Sequence, residues 1–285
     1  GDIMKDLIIG CCTNYDWDKI KFWVNSINKS GFEGDKVMVA FNISYDTVNK
    51  LTQAGFQVLL PGQKDEEHSR FNYQSNLPVH VERFIHIFNY LNDKEYRYVI
   101  TTDVKDVVFQ NNPSHFLEEN LDKTSKQFIF ASESMLYKDE PWGNQNLLDT
   151  FGPFLHNIFK ENEIYNVGVL AGRGDSMRDL AAMIFAMSLN RPIAIVDQST
   201  FNFMISQEPY LSTSLYLRSE DAWACQLGTT ADPNKLQQFK PFILEPLPRL
   251  INGKITTSTG VPFTIVHQYD RVPAWKEIIE VQYAD

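Results

Sequence analysis

The chain has 285 residues, a formal net charge of −10 at pH 7 and 13% aromatic side chains, 20 of them Phe. That much apolar surface excludes wholesale disorder and is enough for one large α/β domain. The acidic balance excludes a surface built for nucleic-acid phosphates, so a small anionic ligand needs local positive charge.

In chain order, "DLIIGCC" reads as a short apolar strand running into Thr13, Asn14 and Asp16, and "DWDKIKFWVNSINKSG" has helical periodicity that stops at Gly31. "DKVMVAFN" gives a second strand, "YDTVNKLTQAG" a helix closed by Gly55, and "FQVLLPG" a third strand ended by Pro61 and Gly62. A polar loop follows, with Lys64, Asp65, Glu66, Glu67, His68 and Arg70, and then the amphipathic helix "LPVHVERFIHIFNYLND". "YVITTDVKDVVFQNNP" begins as a buried strand and breaks at Asp103 and Asp106. "SKQFIFASES" is a further strand, and "NQNLLDTFGPFLHNIFKEN" a helix interrupted at Gly152 and Pro153. "YNVGVLAGRG" is a strand, and "DSMRDLAAMIFAMSLN" and "DQSTFNFMISQ" are helices. "STSLYLRS", "KPFILEP" and "FTIVHQYDRVPAW" read as short strands or loops. Alternation of strand and helix predicts a mostly parallel sheet with helices packed on it, in a single domain over 1–285.

Three cysteines, Cys11 and Cys12 adjacent and Cys225 alone, form neither a disulfide framework nor a zinc motif, which favours a reducing compartment and a cytoplasmic location. The longest apolar stretch, Leu180 to Leu189, is half the roughly 20 residues a membrane span needs, so no integral membrane segment is expected. A trimmed anchor stays open.

Ligands of open α/β sheets gather at the carboxyl ends of strands, where Asp103 lies. Carboxylate oxygens suit hard divalent cations such as Mg²⁺ or Mn²⁺, which are commonly shared with substrate phosphates. In a strand that simply continues, residues three apart point to opposite faces, so Asp103 and Asp106 converge only if Val104 and Lys105 turn. Taken alone, the pair is better read as turn chemistry, with Asp103 capping and Asp106 paired to a Lys or Arg. No Walker loop, GxGxxG fingerprint, GxSxG elbow or HExxH is present.

"YVITTDVKDVVFQNNP" resembles the acidic metal-binding segment of nucleotide-sugar glycosyltransferases of the GT-A fold, in which a short aspartate motif ends a central strand. Their usual Asp-x-Asp is here Asp-x-x-Asp. "YNVGVLAG" (Tyr165 to Gly172) and "VDQSTFNFMI" (Val196 to Ile205) are similar, in the same order, to segments of the glycogenin-like and lipopolysaccharide galactosyltransferase-like group, the family 8-like glycosyltransferases. "HQYDRVPAW" resembles their closing His-x-x-Gly-x-x-Lys-Pro-Trp, with Asp270, Pro273 and Ala274 replacing the Gly, Lys and Pro.

The resemblance implies metal-dependent transfer of a sugar from a nucleoside diphosphate sugar to an acceptor hydroxyl, with retention of configuration. It implies Asp103, Asp106 and His267 as ligands of Mn²⁺ or Mg²⁺, and Thr13, Asn14 and Tyr15 at the nucleoside. Arg83 and Arg271 are the candidate cations for phosphate or for the metal-site aspartate. Asp197 and Gln198 face the donor sugar, Asn166 and Gly168 the acceptor, and Glu133 is the candidate base should the reaction invert. In this division, residues 1–110 bind the nucleotide and 111–285 shape the acceptor side, whether the acceptor is a glycan, a lipid-linked sugar or a protein. Each residue also has a plainer reading: His267 as a buried core histidine, Asp197 as a helix N-cap, Tyr15 as a surface aromatic, Arg83 in a salt bridge with Glu82 or another acid, and Glu133 as a solvated carboxylate at a strand end. Two other functions stay open, a nucleotide-sugar or carbohydrate binding protein without turnover and a metal-dependent phosphohydrolase.

Overall fold

The computed structural model describes residues 4–285. Its central sheet has seven strands: β1 (Leu7–Cys12), β2 (Asp35–Ala40), β3 (Gln57–Leu59), β4 (Tyr98–Thr102), β6 (Phe128–Leu136), β7 (Glu163–Arg173) and β8 (Ser214–Leu217). The short β5 (Val107–Phe109) belongs to a second sheet. Across the central sheet the order is β8, β6, β7, β4, β1, β2, β3. Every neighbouring pair is parallel except those of β7, which runs antiparallel to both β4 and β6.

Successive side chains of a strand point to opposite faces, and the strands here are apolar on both, so both faces must be covered. Ile8, Met38 and Ile100 face α1 (Trp17–Lys29), α2 (Tyr45–Gln53) and α4 (Pro113–Leu121), while Leu7, Ile9, Val37 and Val99 face α3 (Val79–Leu91), α6 (Gly174–Ser188) and α7 (Asp197–Ile205). The helix α5 (Pro141–Phe159) kinks at Gly152, ahead of Pro153.

Two segments differ from their sequence expectations, the polar loop and the closing segment, while "KPFILEP" takes the loop alternative. The polar loop is a hairpin, Gln63–Asp65 against Arg70–Asn72, joined to Ile43–Ser44. The Asp65 carboxylate ties it by accepting from the backbone N–H of His68 and the side-chain amide of Asn72, bonds that leave no apolar alternation to read. "KPFILEP" opens as a 3₁₀ turn over Lys240–Phe242 and continues without a strand. In the closing segment, β10 (Ile265–His267) gives way to a 3₁₀ turn at Tyr269–Arg271 and then to a helix, α8 (Pro273–Gln282), whose opening proline suits a first helical position.

The end of β4 is held from beneath. Val104 is buried over Gly10 of β1, and the Trp23 indole N–H donates to Thr102 Oγ1 at 2.9 Å. A Cβ at Gly10 would lie 2.7 Å from Val104 and 2.9 Å from Trp23, too close for either to stay. Gly10→Ala is therefore expected to cost about 1–3 kcal/mol by overpacking. Urea unfolding checks this, and an unchanged midpoint would contradict the tight packing beneath the turn.

Candidate active site

Beyond Thr102 the chain turns through Val104 and Lys105 before β5 begins, so the carboxylates of Asp103 and Asp106 come together. Strand register adds the third group. β5 pairs antiparallel with β10, setting Val107 opposite His267, and the N–H of Gln268 donates to the Asp106 carbonyl at 2.7 Å. His267 Nε2 then lies 3.2 Å from Asp103 Oδ2 and 3.5 Å from Asp106 Oδ1, and one ligand atom from each of the three lies within 4.8 Å of the others.

The ring of His267 is oriented from behind. β9 (Ala224–Gln226) runs parallel to β10 with Gln226 beside His267, and the Gln226 Oε1 accepts from His267 Nδ1 at 2.6 Å. That bond leaves Nε2 aimed at the carboxylates, the arrangement of a metal-ligating histidine with its supporting partner. Burial acts against a charge on His267, but Asp106 and Asp103 outweigh it and raise its pKa to about 10. Two carboxylates and an imidazole are a donor set for Mn²⁺ or Mg²⁺. Gly168 keeps the space clear, since a Cβ there would lie 2.6 Å from both Asp103 Oδ2 and His267 Cε1.

Arg83 of α3 spends both arms of its fork on acids, Nη1 on Asp103 Oδ1 at 2.6 Å and Nη2 on Asp197 Oδ2 at 2.9 Å. Glu82, the other partner considered for it, instead accepts from Tyr73 and Ser75. Burial works against the Asp103 charge, but Arg83 and His267 hold its carboxyl well below the usual range. Asp197 is buried more deeply, and desolvation raises its pKa despite Arg83. It is not an N-cap: it is the first residue of α7, and its carboxylate serves Arg83.

Glu133 is not at a strand end. β6 continues past it to Leu136 through Ser134, which sits at φ +62°, and the register against β7 shifts between Tyr165 and Leu170. Irregularities of this kind re-aim side chains next to functional sites. Here Asn166 Oδ1 accepts from the N–H of Gly168 at 2.7 Å while its Nδ2 donates to Glu133 Oε1 at 2.8 Å, and Gln198 Nε2 reaches the same oxygen at 3.2 Å. Far from solvated, Glu133 is 6% exposed, and burial together with Glu140 pushes its pKa up to about 7.

Two clefts meet at His80, Arg83, Asp103 and Arg271. One, of about 330 Å³, holds Thr13, Tyr15, Lys105 and Asp106; the other, of about 360 Å³, holds Glu133, Asn166, Gly168, Asp197, Gln198 and His267. Lys105 Nζ lies 5.9 Å from the Tyr15 ring centre. Asn14 lies outside the lining of the first cleft, in a left-handed turn whose N–H donates to the Asn42 carbonyl. Arg271 is half exposed, 2.7 Å from Asp270 and 3.7 Å from Asp106. A larger, more apolar cavity of about 630 Å³ behind β7 includes none of the Asp103, Asp106 and His267 cluster. The sequence reading missed Gln226, His80 and Trp142; no residue pattern marks a glutamine as a histidine's partner or a tryptophan as a cleft wall.

The fold is that of glycosyltransferases, of the GT-A type. The chain superposes on the apo structure of WbbM, a bifunctional glycosyltransferase, with a TM-score of 0.59 at 12% identity, over 99% of this chain and 51% of that one. It superposes on the glycosyltransferase GlyE of Streptococcus pneumoniae TIGR4 with a TM-score of 0.52, also at 12% identity, over 99% of this chain and 62% of that one. The chain thus spans between half and two thirds of the length of these structures. Compared as a sequence, it matches no family model and no curated protein.

The buried Glu133 carries a consequence for stability. Its pKa rises from an ordinary 4.5 to about 7 on folding, so below pH 4.5 it is protonated folded or unfolded, and between these values only the unfolded chain ionises. Stability is lost across that window as pH rises. Glu133→Gln should therefore gain stability over the parent protein from pH 4.5 to 7, levelling off near 3.5 kcal/mol at most, an order-of-magnitude figure of about 1.4 kcal/mol per pH unit. Parallel melting curves would contradict this.

Proposed function

We propose that the chain transfers a sugar from a nucleoside diphosphate sugar to an acceptor hydroxyl, with Mn²⁺ or Mg²⁺ held by Asp103, Asp106 and His267. The observation that carries the reading is the strand register that sets His267 beside Asp103 and Asp106 at the end of β4, within a fold shared with glycosyltransferases. When bound, a divalent cation supplies positive charge to the leaving diphosphate.

The protein's own groups do the rest. The cleft beside Tyr15 and Thr13 takes the nucleoside, and Arg271, at the junction of the two clefts, replaces the lysine missing from the closing segment as a phosphate contact. Arg83 keeps Asp103 ionised and oriented; with both arms engaged it positions the metal ligand in place of binding phosphate. Gln198 and Asp197 stand on the donor sugar, and Asn166 on the acceptor side. Residues 1–110 accordingly form the nucleotide half of one domain and 111–285 the acceptor half. Retention is the expected stereochemistry, by resemblance to the family 8-like group. Should the reaction invert instead, Glu133, with a pKa near neutrality, is the group placed to take a proton from an acceptor hydroxyl.

A thermal-shift titration with nucleoside diphosphates tests the site. One of them, at about 100 times its Kd, should add about 2.7 kcal/mol of stability with Mn²⁺ present, and little without it or in Asp103→Asn. Full stabilisation in the absence of metal would overturn the ligand assignment. Proton NMR of the product tests the stereochemistry. Retention is expected; an inverted product whose formation is abolished in Glu133→Gln would make Glu133 the general base.

A further inference from the structure

The wall of the second cleft also includes Trp142, Ile195 and Lys235. Trp142 is the most exposed tryptophan of the chain, with 54% of its surface open, whereas Trp23 and Trp223 are fully buried and Trp17 and Trp275 are partly so. Leaving a large aromatic in water forgoes the burial that normally stabilises it, so its place in a cleft wall points to something that covers it.

Its position is also fixed. Trp142 is the second residue of α5, and the Glu140 carboxylate accepts from the backbone N–H groups of both Trp142 and Gly143. One turn further on, Asn146 donates to the Ile195 carbonyl at 2.8 Å, tying the loop ahead of α7 to the same helix. The aromatic wall is thus coupled to the start of the helix that carries Asp197 and Gln198.

Resting on the glycosyltransferase reading, we propose that Trp142 is the acceptor platform and that the acceptor is a saccharide, one ring of which stacks on the indole. A pyranose has a face of C–H groups, weakly positive, that suits the negative face of an aromatic ring, and a rim of hydroxyls that needs hydrogen-bonding partners. The rest of the wall supplies such partners in Thr229, Lys235 and Gln268. A lipid tail has no use for those groups, and the apolar cavity behind β7 is a separate space.

Iodide quenching of tryptophan fluorescence tests this, titrating methyl α- and β-glycosides of glucose, galactose, mannose and N-acetylglucosamine at millimolar concentration into protein loaded with Mn²⁺ and a nucleoside diphosphate. At least one glycoside should shield a tryptophan from iodide, and the shielding should vanish in Trp142→Phe while binding by saturation-transfer NMR persists. Trp142→Ala should weaken that binding about tenfold, yet leave nucleotide binding and the melting temperature unchanged. Saccharide binding that ignores Trp142→Ala would overturn the platform. Absence of binding by every glycoside, with nucleotide binding intact, would overturn the saccharide acceptor. Failure of the nucleotide to bind falls instead on the glycosyltransferase reading itself.

Discussion

The site depends on one pairing of short strands, β5 against β10. Only three residues long on each side, it carries the last part of the chain back to the end of β4 and sets His267 opposite Val107, one residue beyond Asp106. A slip of one residue would turn His267 to the opposite face and break the cluster. The register is protected by burial: Val108, Val266 and Cys225 sit in a third apolar cluster with Phe263 and Tyr269, and Gln226 of the neighbouring strand holds the imidazole ring.

Around this pairing the protein gathers more acid than base. Asp103, Asp106, Asp197 and Glu133 converge on the two clefts, and the fully committed cation among them is Arg83. Burying like charges is costly unless each is paired or neutralised. The chain uses each remedy in turn: Asp103 is ionised against Arg83 and His267, while Glu133 is driven toward its neutral form and held by two amides. Asp106 and Asp103 favour a proton on His267. A divalent cation at that point would replace the proton, which couples metal binding to pH.

Much of the scaffold was legible because β1, α1, β2, α2, α3 and β4 each obey a single period and end on a glycine, a proline or a polar break. The segments that were not legible are held by side-chain bonds, as in the hairpin tied by Asp65, or begin where a proline reads as a stop, as at Pro273. In the site, Asp103, Asp106 and His267 were named from motifs taken in order, and the turn at Val104 and Lys105 entered only as a condition for the aspartates to converge, because it depends on how Val104 packs over Gly10 and Trp23. Glu133 was the hardest to place. Its burial follows from a left-handed residue at Ser134 and a register shift opposite, and serine gives little local warning of either.

The central claim is that two aspartates and a histidine, far apart in sequence, hold one metal ion. Anomalous diffraction at the manganese edge, from crystals grown with Mn²⁺ and a nucleoside diphosphate, reads this directly. The account predicts one strong peak within bonding distance of Asp103, Asp106 and His267 Nε2, roughly 2.0–2.3 Å as for first-row metals with oxygen and nitrogen ligands. A peak bound without His267, or no peak at the end of β4 while the nucleotide is in place, would contradict it.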